Sequence, residues 1–342
     1  MNAGTLGPLP RRSGEAVAAW TRRLVEEGRS SKALFEELLA LRERVRAEIA
    51  ALLNAPEGSI ALTTATTDGC NIVLTGLGIG PADEVVTTDS EHPGLFGGLL
   101  ASGATVRIAE IRDRPAGEAL ALLEGQITKK TRLLALSHVS WLTGAVLPIK
   151  QLAERHDIPL LVDGAQGAGA ISVDVRDLGC DFYTVSAQKW LLGPEATGAL
   201  FVRPERIDEL RMTFPSYLSW QFPEYVPKPD ASRFDPGWLP AGSLAGLAES
   251  LAFANDAGPD RFRHARDTAE RLRQMLAARG AVVTEPGQAT LVSWPAEEPQ
   301  VVAEKLAEAG VVVRDLPGTG WVRASCGFWT SEEDLERLLR AI

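Results

Sequence analysis

The chain has 342 residues, a formal net charge of −10, 45% hydrophobic and 23% charged residues, which is enough for one large α/β domain and a smaller one and argues against non-specific binding to nucleic acid or anionic membranes. Three scattered cysteines (Cys70, Cys180, Cys326) and four scattered histidines show no metal-ligand spacing, and this sparse usage suits a reducing cytoplasm. The start MNAGTLGPLPRR lacks the apolar core of a signal peptide, and no run approaches the ~18 uninterrupted apolar residues of a membrane span.

Residues 1–10, rich in Gly and Pro, read as an irregular arm, and residues 14–27 and 31–53 as two surface helices from their apolar spacing. Seven short aliphatic or β-branched runs follow: Ile60–Thr64, Glu84–Thr88, Thr105–Ile111, Leu133–Val139, Leu160–Asp163, Phe182–Ser186 and Gly198–Val202. Near-continuous apolar strands such as LLALSHV and PLLVDG fit a sheet covered on both faces. Their alternation with helical stretches predicts an α/β domain with a mainly parallel seven-stranded sheet. The stretch 213–240, with six prolines and seven aromatics, reads as a long functional loop. Beyond it the spacing predicts helices over 241–256 and 259–279, strands Ala281–Thr284 and Thr290–Trp294, and a helix over 299–309. Strands Val311–Arg314 and Trp321–Ser325 and a closing helix from Ser331 complete a smaller α+β unit. The predicted division is 11–240 and 241–342, the arm 1–10 joining the second unit.

Several residues could carry chemistry. Lys189, in SAQKWLLGPEATG, follows a strand and is hemmed by apolar groups that would lower its basicity, as imine chemistry needs; alternatively its stem packs on tryptophan at the surface. Asp163 ends an apolar strand, where α/β folds bind ligands and where a carboxylate can hold a pyridinium nitrogen, with Gln166 able to donate to a ring oxygen; alternatively Asp163 is a cap. In TTATTDGCN, Thr66 and Thr67 sit where a strand gives way to a helix, a place for phosphate or for an ordinary cap. His92, in TTDSEHPG, could stack on a flat ring or face solvent as a loop residue. Arg323, on the strand VRAS, could hold a carboxylate by two hydrogen bonds or form a structural ion pair. Thr330 and Glu333 have the spacing of a capping box. GLGIG at 76–80 precedes a strand and follows a helix, the reverse of a dinucleotide loop, and no GxxxxGK[ST], HExxH or GxSxG occurs.

The order of these motifs, from TT-D through EHPG, SHVSWLTG, VDGAQ and S-x-x-K to VRAS, resembles the class V aminotransferase family of fold type I enzymes dependent on pyridoxal 5′-phosphate (PLP), which includes cysteine desulfurases. The resemblance runs from NAGTLGPLP to FWTSEEDLERLL. It implies a Schiff base on Lys189, Asp163 at the pyridine nitrogen, Gln166 at the ring oxygen and His92 over the ring. It implies Thr66, Thr67, Ser186 and Gln188 at the phosphate, Arg323 at the substrate carboxylate, and Ala3 and Gly4 lining the substrate site. It also implies a homodimer, in which Gly237 and Trp238 of RFDPGW stand where the partner chain supplies a Gly-Thr to the phosphate.

The chain departs from that pattern in several places. Gln188 replaces the usual histidine, Trp141 the usual asparagine and Trp238 the usual threonine, and RDLPGTGW lacks the nucleophilic cysteine of desulfurases. The arm begins almost at Met1, which implies a truncated start. The expectation is a PLP enzyme acting on an amino acid or amine, by transamination, C–S lysis, epimerisation or desulfuration. The alternatives are a scaffold that kept the fold and, without the glycine fingerprint to support it, a nicotinamide dehydrogenase.

Overall fold

The structure, a computed structural model, describes all residues from Met1 to Ile342. Helices α1 (Arg11–Glu26) and α2 (Lys32–Leu52) lead into β1 (Ile60–Thr63), α3 (Thr66–Gly76), β2 (Glu84–Thr88), α4 (Pro93–Ser102), β3 (Thr105–Ala109) and α5 (Ala119–Glu124). Then come β4 (Thr131–Ser137), α6 (Ile149–Arg155), β5 (Leu160–Asp163), α7 (Val175–Leu178), β6 (Phe182–Ser186) and β7 (Gly198–Val202). A small hairpin, β8 (Trp220–Gln221) with β9 (Val226–Pro227), interrupts the Pro-rich stretch. The rest is α8 (Ala241–Asp256), α9 (Arg261–Ala277), β10 (Leu291–Pro295), α10 (Pro299–Glu308), β11 (Arg314–Leu316), β12 (Trp321–Ser325) and α11 (Glu332–Ala341).

The first seven strands form one sheet in the order β1-β7-β6-β5-β4-β2-β3. Only β7 runs against its neighbours, β1 and β6; the other pairings are parallel. β1, β5 and β6 are buried along their whole length, and one apolar cluster lies on each face, one including Leu62, Leu136 and Val162, the other Ala61, Leu133 and Leu161. Period-two alternation explains the division: successive residues point to opposite faces. Because β1, β2, β4, β5 and β6 are mutually parallel, their carboxyl ends open at one edge of the sheet. A second core joins α9, α10 and α11 to the antiparallel sheet β10-β12-β11. No helix is long and apolar enough to cross a membrane.

The structure corrects four expectations. Ala281–Thr284 is not a strand: Val283 and Thr284 both donate to the Ser293 carbonyl, so the segment touches the sheet at one point rather than along a ladder. Strand β11 starts at Arg314, because Val311 and Val313 are spent packing against the second core as the chain leaves α10. The last helix is capped by Ser331 and Asp334, each accepting from the other's backbone, while the Thr330 hydroxyl accepts from Gly327 N–H. Finally, Leu244, Leu247, Ala248 and Leu251 of α8 are buried with the large sheet, so the second core begins only with α9 rather than at residue 241.

One buried charge cluster ties α2 to β1. Asp235 accepts from Arg42 at 2.6 Å, Arg46 at 2.9 Å and the Leu62 N–H at 2.8 Å, and all three side chains involved are buried. Removing the carboxylate leaves Arg42 buried without an anion and Arg46 with only the more exposed Glu43. Asp235→Ala should therefore destabilise the fold by about 3–5 kcal/mol, read as a lower urea midpoint at unchanged slope.

Candidate active site

The site is built from the carboxyl ends of five strands. After β1, Ala65 is the N-cap of α3 and offers no side-chain cap, so the N–H groups of the first turn beyond Thr66 are open to an anion. The Thr66 N–H donates to Ser186 Oγ at 3.0 Å, tying the end of β1 to the end of β6. Thr67 abuts the neighbouring turn: a Cβ at Gly94 would stand 2.7 Å from its Oγ1, so that turn needs glycine.

After β2, His92 caps α4 by accepting the Gly94 N–H on Nδ1 at 3.0 Å, which leaves Nε2 to carry the proton of the neutral ring. Burial lowers its pKa to about 4, helped by the charges of Lys189, Arg323 and Arg314. The Trp141 ring meets the imidazole edge-on at 5.2 Å and 83°. Beside it Glu91 is buried, accepting from Thr88 Oγ1 at 2.7 Å and from the Ser137 N–H at 2.9 Å; burial raises its pKa to about 7 against those hydrogen bonds.

Asp163 ends β5, buried, with Oδ1 accepting the Ala165 N–H at 2.9 Å. Burial raises its pKa, while Lys189, that N–H and the Thr66 hydroxyl oppose the rise. Lys189, half-buried just after β6, has its pKa lowered by burial; Asp163 opposes the shift and Arg323 adds to it. Arg323 on β12 is buried, with Nη1 donating to the Trp141 carbonyl at 2.7 Å and Nε without a partner. Its pKa falls to about 10 through burial and the neighbouring Arg314.

The N-terminal arm lies on this cluster. Gly4 N–H donates to Ser325 Oγ and Gly7 N–H to the Gln188 carbonyl. A Cβ at Gly4 would stand 2.5 Å from Arg323 Nη2, and one at Gly7 2.0 Å from the Lys189 carbonyl oxygen, so only glycine allows the approach. Ala3 is buried beside them. Gln166 is partly engaged: its Nε2 donates to the Gly4 carbonyl and its Oε1 accepts from Trp190 Nε1, which leaves one of its two N–H donors free.

The structure thus brings together Lys189, Asp163, Gln166, His92, Thr66, Thr67, Ser186, Gln188, Arg323, Ala3 and Gly4. Gly237 and Trp238 stand apart from them within the chain. Trp238 is half-exposed and stacks on Phe35 at 5.6 Å and on Tyr217 at 6.3 Å. Sequence reasoning missed Arg314, Glu91 and the packing of Trp141 on His92. The VVVRD alternation ahead of a Pro-Gly turn was the available signal for Arg314.

These groups fit PLP. A buried carboxylate at a strand end suits a pyridinium nitrogen. An uncapped helix start suits a phosphate, beside the buried, partnerless Oε1 of Gln188, an amide that can turn its NH2 toward an anion. A lysine of depressed basicity suits an aldehyde. The family model for "Aminotransferase class-V" matches residues 10–338. The chain belongs to that family. It is a PLP-dependent enzyme. Isopenicillin N epimerase of Streptomyces clavuligerus is 30% identical, over 100% of this chain and 93% of its own length. A probable cysteine desulfurase of Halalkalibacterium halodurans is 28% identical over 88% of this chain and 80% of its own. The cystine C–S lyase C-DES, in complex with its product cysteine persulfide, superposes with a TM-score of 0.92 at 30% identity, covering 99% of this chain and 96% of that one. A lysine-to-alanine variant of C-DES carries glycine covalently linked to its PLP.

Glu91 gives a pH signature. A carboxyl whose pKa is raised on folding, from 4.5 to about 7, contributes stability that is complete below pH 4.5 and lost as the pH rises through 7. Glu91→Gln should remove that loss, so the wild type should fall behind the variant between pH 5 and pH 8 by on the order of 3 kcal/mol, measured from urea midpoints at the two pH values.

Proposed function

We propose that this enzyme is a C–S lyase acting on an S-substituted L-cysteine, with cystine the first compound to test. The observation that carries the reading is the fate it leaves for sulfur. A desulfurase needs an accessible thiolate to accept the sulfur atom. The turn between β11 and β12, closed by Gly318 and Gly320 at positive φ, has no cysteine. Cys70, Cys180 and Cys326 are all buried, and burial pushes their thiols up, to about 12 for Cys180 and Cys326. Sulfur therefore leaves with the product.

In this reading Asp163 pairs with the pyridine nitrogen, and Thr66, Thr67, Ser186 and Gln188 hold the phosphate. Bound PLP supplies the electron sink that acidifies the substrate Cα–H. Arg323, pinned by the Trp141 carbonyl, holds the α-carboxylate through its remaining N–H groups. His92, neutral above about pH 4, covers the ring without adding charge. The Lys189 amine takes the Cα proton and protonates the departing sulfur. The Cβ–S bond breaks with its electron pair going to sulfur, and the three-carbon remainder takes up water to give pyruvate and ammonia. The arm around Ala3 and Gly4 closes the cleft over Arg323.

The proposal includes a cytoplasmic homodimer. Phe214, Tyr217, Phe222, Tyr225 and Trp238 are half-exposed or more along 214–238, an apolar surface of the kind copies of a chain bury between them.

Holoenzyme given L-cystine should release pyruvate and ammonia in equal amounts together with persulfide sulfur. Lys189→Ala should lack both the visible band of the bound cofactor and the product, while Cys70→Ala, Cys180→Ala and Cys326→Ala each keep product formation. Sulfide release that depends on one of those cysteines would overturn the reading, and inverted amino acid without pyruvate would replace it with epimerisation.

A further inference from the structure

A buried polar pair lies against the turn that follows β5. Tyr183 of β6 is fully buried, its ring edge-on to the His138 imidazole at 5.7 Å and 87°, and its hydroxyl shares a hydrogen bond of 2.9 Å with His138 Nδ1. Tyr183 is the cross-strand partner of Val162, the residue before Asp163. The His138 N–H donates to the Asp163 carbonyl at 2.9 Å. Both residues therefore border the start of the turn 163–167.

The turn rests on this pair without slack. A Cβ at Gly164 would run into the Tyr183 ring, and one at Gly167 into the Tyr183 hydroxyl and His138 Nδ1. The same turn carries Asp163 and Gln166, whose side chains face the site. A phenol and an imidazole are costly to bury, and an apolar pair would fill the space without that cost. Burial holds His138 at a pKa of about 4 and pushes the Tyr183 phenol well up, so both stay neutral. What the pair gains is direction: a buried hydrogen bond fixes both rings, where an apolar contact lets them tilt.

Resting on the reading that Asp163 meets the pyridine nitrogen, we propose that Tyr183 and His138 are positioning residues that set Asp163 and Gln166 against the cofactor ring. They act through Gly164 and Gly167, which transmit any tilt of the phenol to both side chains.

The test compares the affinity of the full-length enzyme for two probes, PLP and its analogue with carbon in place of the ring nitrogen, each read by quenching of tryptophan fluorescence. The wild type should bind PLP about tenfold or more tightly than the analogue. Tyr183→Phe and His138→Leu should bring that ratio to within about threefold. His138→Asn, whose amide can stand in for Nδ1, should retain most of it. Tyr183→Phe removes one oxygen and leaves the ring under Gly164, and far-UV circular dichroism reports that each variant is folded. A variant that weakens both probes by the same factor means that the pair only supports the fold, and overturns the proposal. So does a Tyr183→Phe ratio equal to that of the wild type. Equal binding of the two probes by the wild type itself would sink the reading of Asp163 at the ring nitrogen, and this proposal with it. Neither probe needs turnover, so the result stands even if cystine is not cleaved.

Discussion

A carboxylate at the end of a fully buried strand is costly to keep ionised unless cations and hydrogen-bond donors surround it. Asp163 meets that requirement from three separate segments: the Ala165 N–H of its own turn, the Thr66 hydroxyl at the start of α3 and the Lys189 charge after β6. Each compensating group has its own constraint. Thr66 is held by Ser186, Lys189 by the passage of the arm over its carbonyl, and Arg323 by the Trp141 carbonyl. The site therefore behaves as one electrostatic unit, in which Asp163, Lys189 and Arg323 each shift the ionisation of another.

The parallel sheet alone supplies only half of this unit. The side that carries Arg314 and Arg323 comes from β11 and β12 of the second core, brought over the β4 loop by the Ser293 and Arg323 hydrogen bonds. The arm completes the enclosure: Gly4 and Gly7 approach so closely that any side chain would collide with Arg323 or with the backbone of Lys189. Gln166 links these parts, joining the arm to Trp190 through its two amide ends. Residues from both ends of the chain meet here.

Much of the fold was legible in the sequence because the strands of a sheet covered on both faces are nearly uniform apolar runs. β2, β5, β6, β7 and β12 have the predicted limits, and the other large-sheet strands differ by a few residues at their ends. What failed was pairing and assignment to a core. Ala281–Thr284 and Val311–Val313 have strand-like composition, but a strand exists only where a neighbour accepts its ladder, and neither segment has one. The apolar stripe of α8 announced a buried face without saying which core would bury it.

The sequence by itself determined the family, the cofactor and the identity of the residues at the strand ends, since motif order and apolar runs are properties of the chain alone. The tertiary structure decided which of those groups meet and what each has left to offer. It committed half of the Gln166 amide to the arm, set Trp238 against Phe35 and Tyr217, and buried every cysteine. It also stood Arg314 opposite Arg323. Such outcomes depend on register, burial and contacts between residues far apart in the chain, and linear spacing carries no information about them.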